Sequence, residues 1–524
     1  MGQLNLIPQP RAVDAGTGTF TLTPDTTLVG PPAWAAAVRR VLTPGTGCEL
    51  LPGAEGEATF LLTGDDQLGP ESYRLTVTDS TITVAAVDER GVNWAAQTLR
   101  QLIGAPAYGS APIADSFAVP CVTIDDAPRF DWRGVMLDTG RHFMPITGLY
   151  AFIDLLAQHK YNVFHLHLSE DQGWRMESTA YPKLPEIASW RTESRNPEWP
   201  QGDGTPHGGF YTQDQLRALA SYAAQRGITV VPEIEFPGHV RAFLAAYPEF
   251  GNGIDSQGTA TEWGIFHQVL NMTDEAVDAV FSIFAELLEI FPSTYVHVGG
   301  DECPRQEWRQ SEAAAALASE RGLPGPEHLQ RWFTERLRDF LADRGRRLVG
   351  WDEINDEGPL EGAVVMAWRG ADRGVAAAAA GMEVVMSPTS HTYFDYYPSD
   401  HDDEPYSIGG HLPVETAYAF EPLEGIPDEQ HPQILGTQCQ VWTEYMPDMA
   451  RVEYMLWPRA CAHSEVAWSD PAGRSWQEFE PRLAAHLDRL AAQGVNFRPL
   501  AGPHPWQRGG TGAWRRPDKH RGQK

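Results

Sequence analysis

The chain has 524 residues, with 40 Lys+Arg against 70 Asp+Glu and a formal charge of −30. That charge argues against a protein that tracks nucleic-acid phosphates or anchors on anionic lipid. A hydrophobic content of 42% and 41 Pro without a short period argue against a disordered, collagen-like or coiled-coil chain.

No apolar run approaches the roughly 18 residues that span a bilayer. Residues 1–8 show no basic region followed by an apolar stretch, so no secretory signal is read. The five cysteines are odd in number, widely spread and without metal spacing. A reduced, cytoplasmic chain is the expectation.

Residues 1–125 predict an N-terminal α+β domain. Alternating runs at 73–78 and 81–84 read as half-buried strands. Residues 90–102 read as a helix with Val92, Ala95, Leu99 and Leu102 on one face. Residues 120–130 are expected to link this domain to a different pattern. From 126 to 497, β-like runs alternate with helical stretches. The runs are 135–138, 162–168, 228–233, 295–300, 347–351, 363–368, 383–387 and 434–442, and helices such as 149–159, 214–226 and 274–290 fall between them. That alternation predicts an α/β fold, a (β/α)₈ TIM barrel whose C-terminal strand ends carry the active site. From 498 the chain is Gly/Pro-rich, with seven Lys/Arg against one acid, and 498–524 predict a flexible basic tail.

The strand ends are unusually polar. The first leads to Asp138 and Arg141, the second to His165, His167, Glu170, Asp171 and Trp174. The third gives Glu233, Glu235 and His239, and the fourth His297, Asp301 and Glu302. The later ones give Trp351 and Asp352, Trp368, Tyr393 and Asp395, then Trp442 and Glu444. Buried charges are costly unless paired or used, so this concentration marks a site. Neighbouring side chains on an ideal strand point to opposite faces. Gly299-Gly300 breaks the strand before Asp301-Glu302, which lets both carboxylates turn into the barrel mouth. Repulsion from an ionised Asp301, with burial, then raises the Glu302 pKa and keeps Glu302 protonated near neutral pH, as a general acid must be. The competing reading is an acidic pair at a helix N-terminus before Pro304. Sugar rings stack their C–H faces on Trp, and Arg141, Asp395 and Glu444 suit their hydroxyls. Acids and aromatics in one mouth fit a neutral polyhydroxylated ligand.

His297-Val298-Gly299-Gly300-Asp301-Glu302 resembles the signature of glycoside hydrolase family 20, the β-N-acetylhexosaminidases. Residues 133–143, 165–175, 232–239 and 442–444 are similar to further motifs of that family, in its order, and the match runs from about 133 to 468. The resemblance implies removal of terminal N-acetylglucosamine or N-acetylgalactosamine with retention. The substrate's own 2-acetamido oxygen attacks and forms an oxazolinium-type intermediate. It implies Glu302 as general acid/base, Asp301 orienting the acetamido group, and Tyr393 bonding its oxygen. Trp351, Trp368 and Trp442 would line the acetamido pocket and sugar face. Arg141, Asp395 and Glu444 would bind hydroxyls, and His239 with Glu170 would tune Glu302. Two positions depart, since Glu170 and Glu235 stand where the family commonly has Asp.

The implied partner is a small oligosaccharide or glycoconjugate with a terminal β-N-acetylhexosamine, with no cofactor, metal, nucleic acid or membrane involved. Chitobiose, peptidoglycan fragments and host glycans all fit. The segment 176–210, with Trp190 and Trp199, is expected to shape outer subsites. Two rival readings remain at this stage. One is a metal-dependent barrel hydrolase built on His165 and His167 with His239, His297, Asp301 and His391. The other is a catalytically silent carbohydrate-binding protein.

Overall fold

The computed structural model describes residues 4–54, 56–196, 201–253 and 258–508. Trp199 and residues 509–524 lie outside them.

The N-terminal domain is one sheet of six strands. They are β1 (Ala12–Leu22), β2 (Leu28–Val29), β3 (Phe60–Gly64), β4 (Tyr73–Val77), β5 (Ile82–Ala86) and β6 (Phe117–Asp126), in the order β1-β6-β4-β5-β3-β2. Helices α1 (Pro32–Thr46) and α2 (Glu89–Ile103) cover it. Asp88 caps α2, its side chain accepting from the Gly91 amide at 2.8 Å. The anticipated strands at 73–78 and 81–84 and the helix at 90–102 match β4, β5 and α2.

The expected linker 120–130 does not. Most of it is β6, which pairs antiparallel with both β1 and β4. Val119, Val122 and Ile124 are buried there, so the connection shrinks to 127–131. Pro120 is tolerated in this strand because it pairs beside the irregularity between Ala15 and Thr19 of β1.

The second domain is a closed barrel of eight parallel strands. They are β7 (Trp132–Asp138), β8 (Val163–His167), β9 (Thr229–Glu233), β10 (Tyr295–His297), β11 (Arg347–Trp351), β12 (Val364–Ala367), β13 (Glu383–Met386) and β14 (Ile434–Val441). The last pairs with the first, from Gly436↔Trp132 to Val441↔Leu137. All eight fall on the anticipated runs, because strands buried on both faces read as short apolar stretches between helices. The period of two divides the residues between two layers. Phe164 and Leu166 face the helices, whereas Val163 packs inside with Met136, Val231, Val349, Val364 and Val385. His165 and His167 share that inward face.

The domains lock together at the N-terminal ends of the strands. Asp126 receives the Lys160 ammonium at 2.7 Å, the Tyr73 hydroxyl at 2.7 Å and the Trp468 indole N–H at 2.9 Å. Glu71 pairs with Arg133 and accepts from Trp94 Nε1 at 3.0 Å. At the other end of the chain, residues 498–508 pack rather than trail. Arg498 is 8% exposed and bonds Glu404 at 2.6 Å, and Gln507 bonds Asn496 at 2.9 Å. The packed structure therefore continues past the boundary expected at 498. No helix among the described residues is long and apolar enough to cross a membrane.

Candidate active site

β10 stops at His297, and the chain turns through Gly299 (φ +68°) and Gly300 (φ +97°). A Cβ on Gly299 would lie 1.7 Å from Glu235 Oε2, so a side chain there would both strain the left-handed backbone and push Glu235 aside. Gly300 N donates to the same carboxylate at 3.3 Å. The turn delivers Asp301 and Glu302 (φ +45° at Glu302) into the barrel mouth. The next helix begins only at Gln306, so the pair does not cap a helix as the competing reading held.

Both carboxylates line a cavity of about 380 Å³ together with Arg141, Trp368, Tyr393, Asp395, Trp442 and Glu444. This volume lies within the roughly 300–1,000 Å³ of small-molecule sites. The expected hydroxyl binders thus converge from β7, β13 and β14 on the carboxylate pair from β10. Trp351 sits deeper, 1% exposed. Its Nε1–H donates to Glu233 at 2.9 Å and its ring lies 5.7 Å from Trp442. Trp368 stacks near Tyr393, centroids 6.1 Å apart, and donates to Glu353 at 2.9 Å.

His239 connects the pair to buried acids. Its Nδ1–H faces Glu170 Oε1 at 2.8 Å and Asp171 Oδ2 at 3.0 Å, and Nε2 lies 3.6 Å from Glu302 and 3.9 Å from Asp301. Burial opposes a charge on this ring, but Glu170 and Asp171 hold its proton well above the usual histidine range. The added methylene of Glu170 leaves it in contact with His239 and lets it also reach Arg141 at 3.2 Å. Arg141 is further held by Asp138 at 3.5 Å and lies 4.8 Å over the Trp442 ring. Burial works against this guanidinium, yet Glu170, Asp138 and Glu444 raise it well above its ordinary value.

The upward shift that the sequence placed at Glu302 is found at Asp301. Burial and the facing carboxylates of Glu233, Glu302 and Glu170 outweigh His239 and bring it to about 6. Burial and Asp301 hold Glu235 well above the carboxylate range, and burial with Glu444 does the same for Asp395. Glu353 is pushed up to about 8 by burial, Asp301 and Asp352.

The histidines of the metal reading serve another arrangement. His165, His167 and His297 converge on the fully buried Glu233. His165 Nε2 lies 3.0 Å and His297 Nδ1 2.6 Å from its carboxylate, and His167 contacts it through Nδ1. A buried carboxylate ringed by imidazoles and the Trp351 indole compensates its own charge. His391 lies elsewhere, stacked on Phe420 at 5.1 Å. The donor atoms of His165, Glu233 and His297, and those of His239, Asp301 and Glu302, lie close enough to gather round an ion, and of these residues Asp301 and Glu302 line the cavity.

The sequence missed Trp263, Ile265, Ile408 and Tyr445, which complete the cavity wall, and Glu353 behind Trp368. The first three lie on loops, where no periodicity points to a face. Trp190, anticipated at an outer subsite, is half-exposed in a short pairing with Gly208.

The models of known families decide what this geometry belongs to. Residues 130–471 match the glycosyl hydrolase family 20 catalytic domain and residues 3–127 match domain 2 of that family. The chain belongs to glycosyl hydrolase family 20. It is a glycoside hydrolase, as are its relatives. A β-hexosaminidase of Porphyromonas gingivalis is 36% identical over 97% of this chain, which spans 66% of that protein's length. A β-hexosaminidase of Akkermansia muciniphila is 34% identical over 87% of this chain and 91% of its own. Among solved structures, the exo-β-N-acetylglucosaminidase of Vibrio harveyi with N-acetylglucosamine superposes with a TM-score of 0.85. It is 30% identical, covering 95% of this chain and 78% of the other. The N-acetyl-β-hexosaminidase of Streptomyces plicatus gives 0.83 at 29% identity, covering 95% and 97%.

Proposed function

We propose that this family 20 hydrolase is a retaining exo-β-N-acetylhexosaminidase that uses its substrate's acetamido group as nucleophile. The observation that carries the reading is the convergence of Asp301, Glu302 and Tyr393 on one cavity with Arg141, Asp395 and Glu444.

Glu302 gives its proton to the glycosidic oxygen as the bond to the anomeric carbon breaks. The acetamido carbonyl oxygen forms the new bond to that carbon, making a five-membered oxazolinium ring. Positive charge develops on the acetamido nitrogen. Ionised Asp301 accepts its N–H and stabilises that charge, and the Tyr393 hydroxyl donates to the acetamido oxygen. Glu302, now a carboxylate, takes a proton from water as the water opens the ring from the face the aglycone left. His239 adjoins both carboxylates through Nε2 and positions them. Arg141, Asp395 and Glu444 hold the sugar hydroxyls, and Trp442 and Trp368 give the ring its apolar walls.

The relatives named as β-hexosaminidases support the substrate class. The test compares a p-nitrophenyl β-N-acetylglucosaminide with the β-glucoside that carries a 2-hydroxyl instead. The first is hydrolysed and the second is inert. Comparable rates on both would overturn substrate assistance.

A further inference from the structure

Trp263 lies in the loop between β9 and β10, outside every motif that carries the family resemblance. It lines the cavity beside Arg141, Glu444 and Tyr445 and is 8% exposed. Its ring is wedged in place, 5.4 Å from that of His142 and 6.5 Å from that of Tyr445, with the Arg191 guanidinium 5.1 Å over it. Its Nε1–H is buried and has no hydrogen-bond partner among the described residues. Buried indole N–H groups ordinarily find one, as Trp351 does in Glu233 and Trp368 in Glu353. Glu444 Oε2, on the same cavity wall, is likewise a buried acceptor without a donor. A hydroxyl both donates and accepts, so a sugar hydroxyl is the group that can serve both atoms, whereas an ether oxygen can only accept from Nε1 and a methylene serves neither.

We propose that Trp263 is a specificity-determining residue whose Nε1–H donates to a ring hydroxyl of the bound N-acetylhexosamine, the hydroxyl that Glu444 accepts from. This rests on the activity proposed above and adds to it which wall of the cavity reads the sugar's hydroxyl pattern. Sites built to hydrogen-bond a hydroxyl discriminate strongly against analogues lacking it, because their own buried groups are then left unpaired.

The test is a cycle of kcat/KM values for wild type and W263F on a p-nitrophenyl β-N-acetylhexosaminide and its 3-, 4- and 6-deoxy analogues. Phe keeps an aromatic ring, smaller than the indole, and removes the donor. W263F is expected to lose about tenfold on the parent sugar. One deoxy analogue should cost wild type at least as much yet cost W263F far less, which identifies the hydroxyl. The proposal is overturned if W263F matches wild type on the parent, or if all three deoxy penalties are the same in both proteins. Melting temperature reports whether W263F folds. W263M, apolar and without a donor, runs the same cycle if it does not. Wild type silent on the parent would overturn the activity and this assignment together, whereas an active wild type with unchanged penalties would overturn the assignment alone.

Discussion

Glu302 keeps 35% of its side chain open toward the cavity, against 13% for Asp301. That asymmetry fits the roles proposed for them, the reachable group moving protons and the enclosed one holding charge. Glu302→Gln is expected to lower kcat on a natural disaccharide by roughly 10²–10⁴-fold. The loss should be smaller on p-nitrophenyl glycosides, whose leaving group needs little protonation. Steady-state kinetics on both substrates checks this, and equal losses on the two would count against proton donation. Asp301 gives a pH prediction. Its carboxyl titrates at about 6 in the fold, and it must be ionised to stabilise the nitrogen's charge. kcat/KM should therefore fall as pH drops through about 6, and Asp301→Asn should be slow and lack that limb. Stability moves with the opposite sign. A folded value raised above 3.8 means the ionised form destabilises the fold as pH rises through that window. Asp301→Asn should thus melt higher than wild type at pH 7, with the gap closing toward pH 4. At this scale the sequence was legible because strand-end acids and aromatics are costly to bury without a use. It misplaced the raised carboxyl at Glu302, because the shift at Asp301 depends on burial and on Glu233 and Glu170 arriving from other strands.

Between residues and fold, the decisive element is the turn after β10. Gly299 and Gly300 were readable as a break, and the structure adds what a side chain on Gly299 would displace: Glu235 from the neighbouring strand end occupies the space. Gly299→Ala should strain a left-handed position, at about 1–3 kcal/mol, and displace Glu235 as well. The expected outcome is a lower melting temperature together with reduced kcat/KM. An unchanged kcat/KM would mean that the turn does not set the carboxylates. The barrel strands were legible as short apolar runs between helices, β4 and β5 from a period of two, and α2 from its apolar face. β1 was not, because its Ala12-Val13-Asp14-Ala15-Gly16-Thr17 start is largely exposed and has no alternation to read. β6 was mistaken for a linker because Pro120 and the Asp125-Asp126 pair look like loop residues until their partner strands are known. Trp263 left no signal, since a loop has no face.

Over the whole molecule, charge and chemistry separate. Most of the −30 charge has no assigned role, while a few acids at the C-terminal strand ends do the work proposed here. The domain junction lies at the opposite, N-terminal ends. Asp126→Ala would leave the Lys160 ammonium buried without its carboxylate partner, at about 3–5 kcal/mol. Thermal unfolding should show a clearly lower midpoint with kcat little changed at 25 °C. An unaltered midpoint would show that the two domains do not depend on this junction. The central claim is that the nucleophile belongs to the substrate. Its most direct test is the rate on p-nitrophenyl β-glucosaminides whose 2-acetamido methyl carries none, one, two or three fluorines. Fluorine withdraws electrons from the carbonyl oxygen, so log kcat/KM should fall steeply and steadily across the series. A rate indifferent to fluorination would contradict the account and place the nucleophile on the protein.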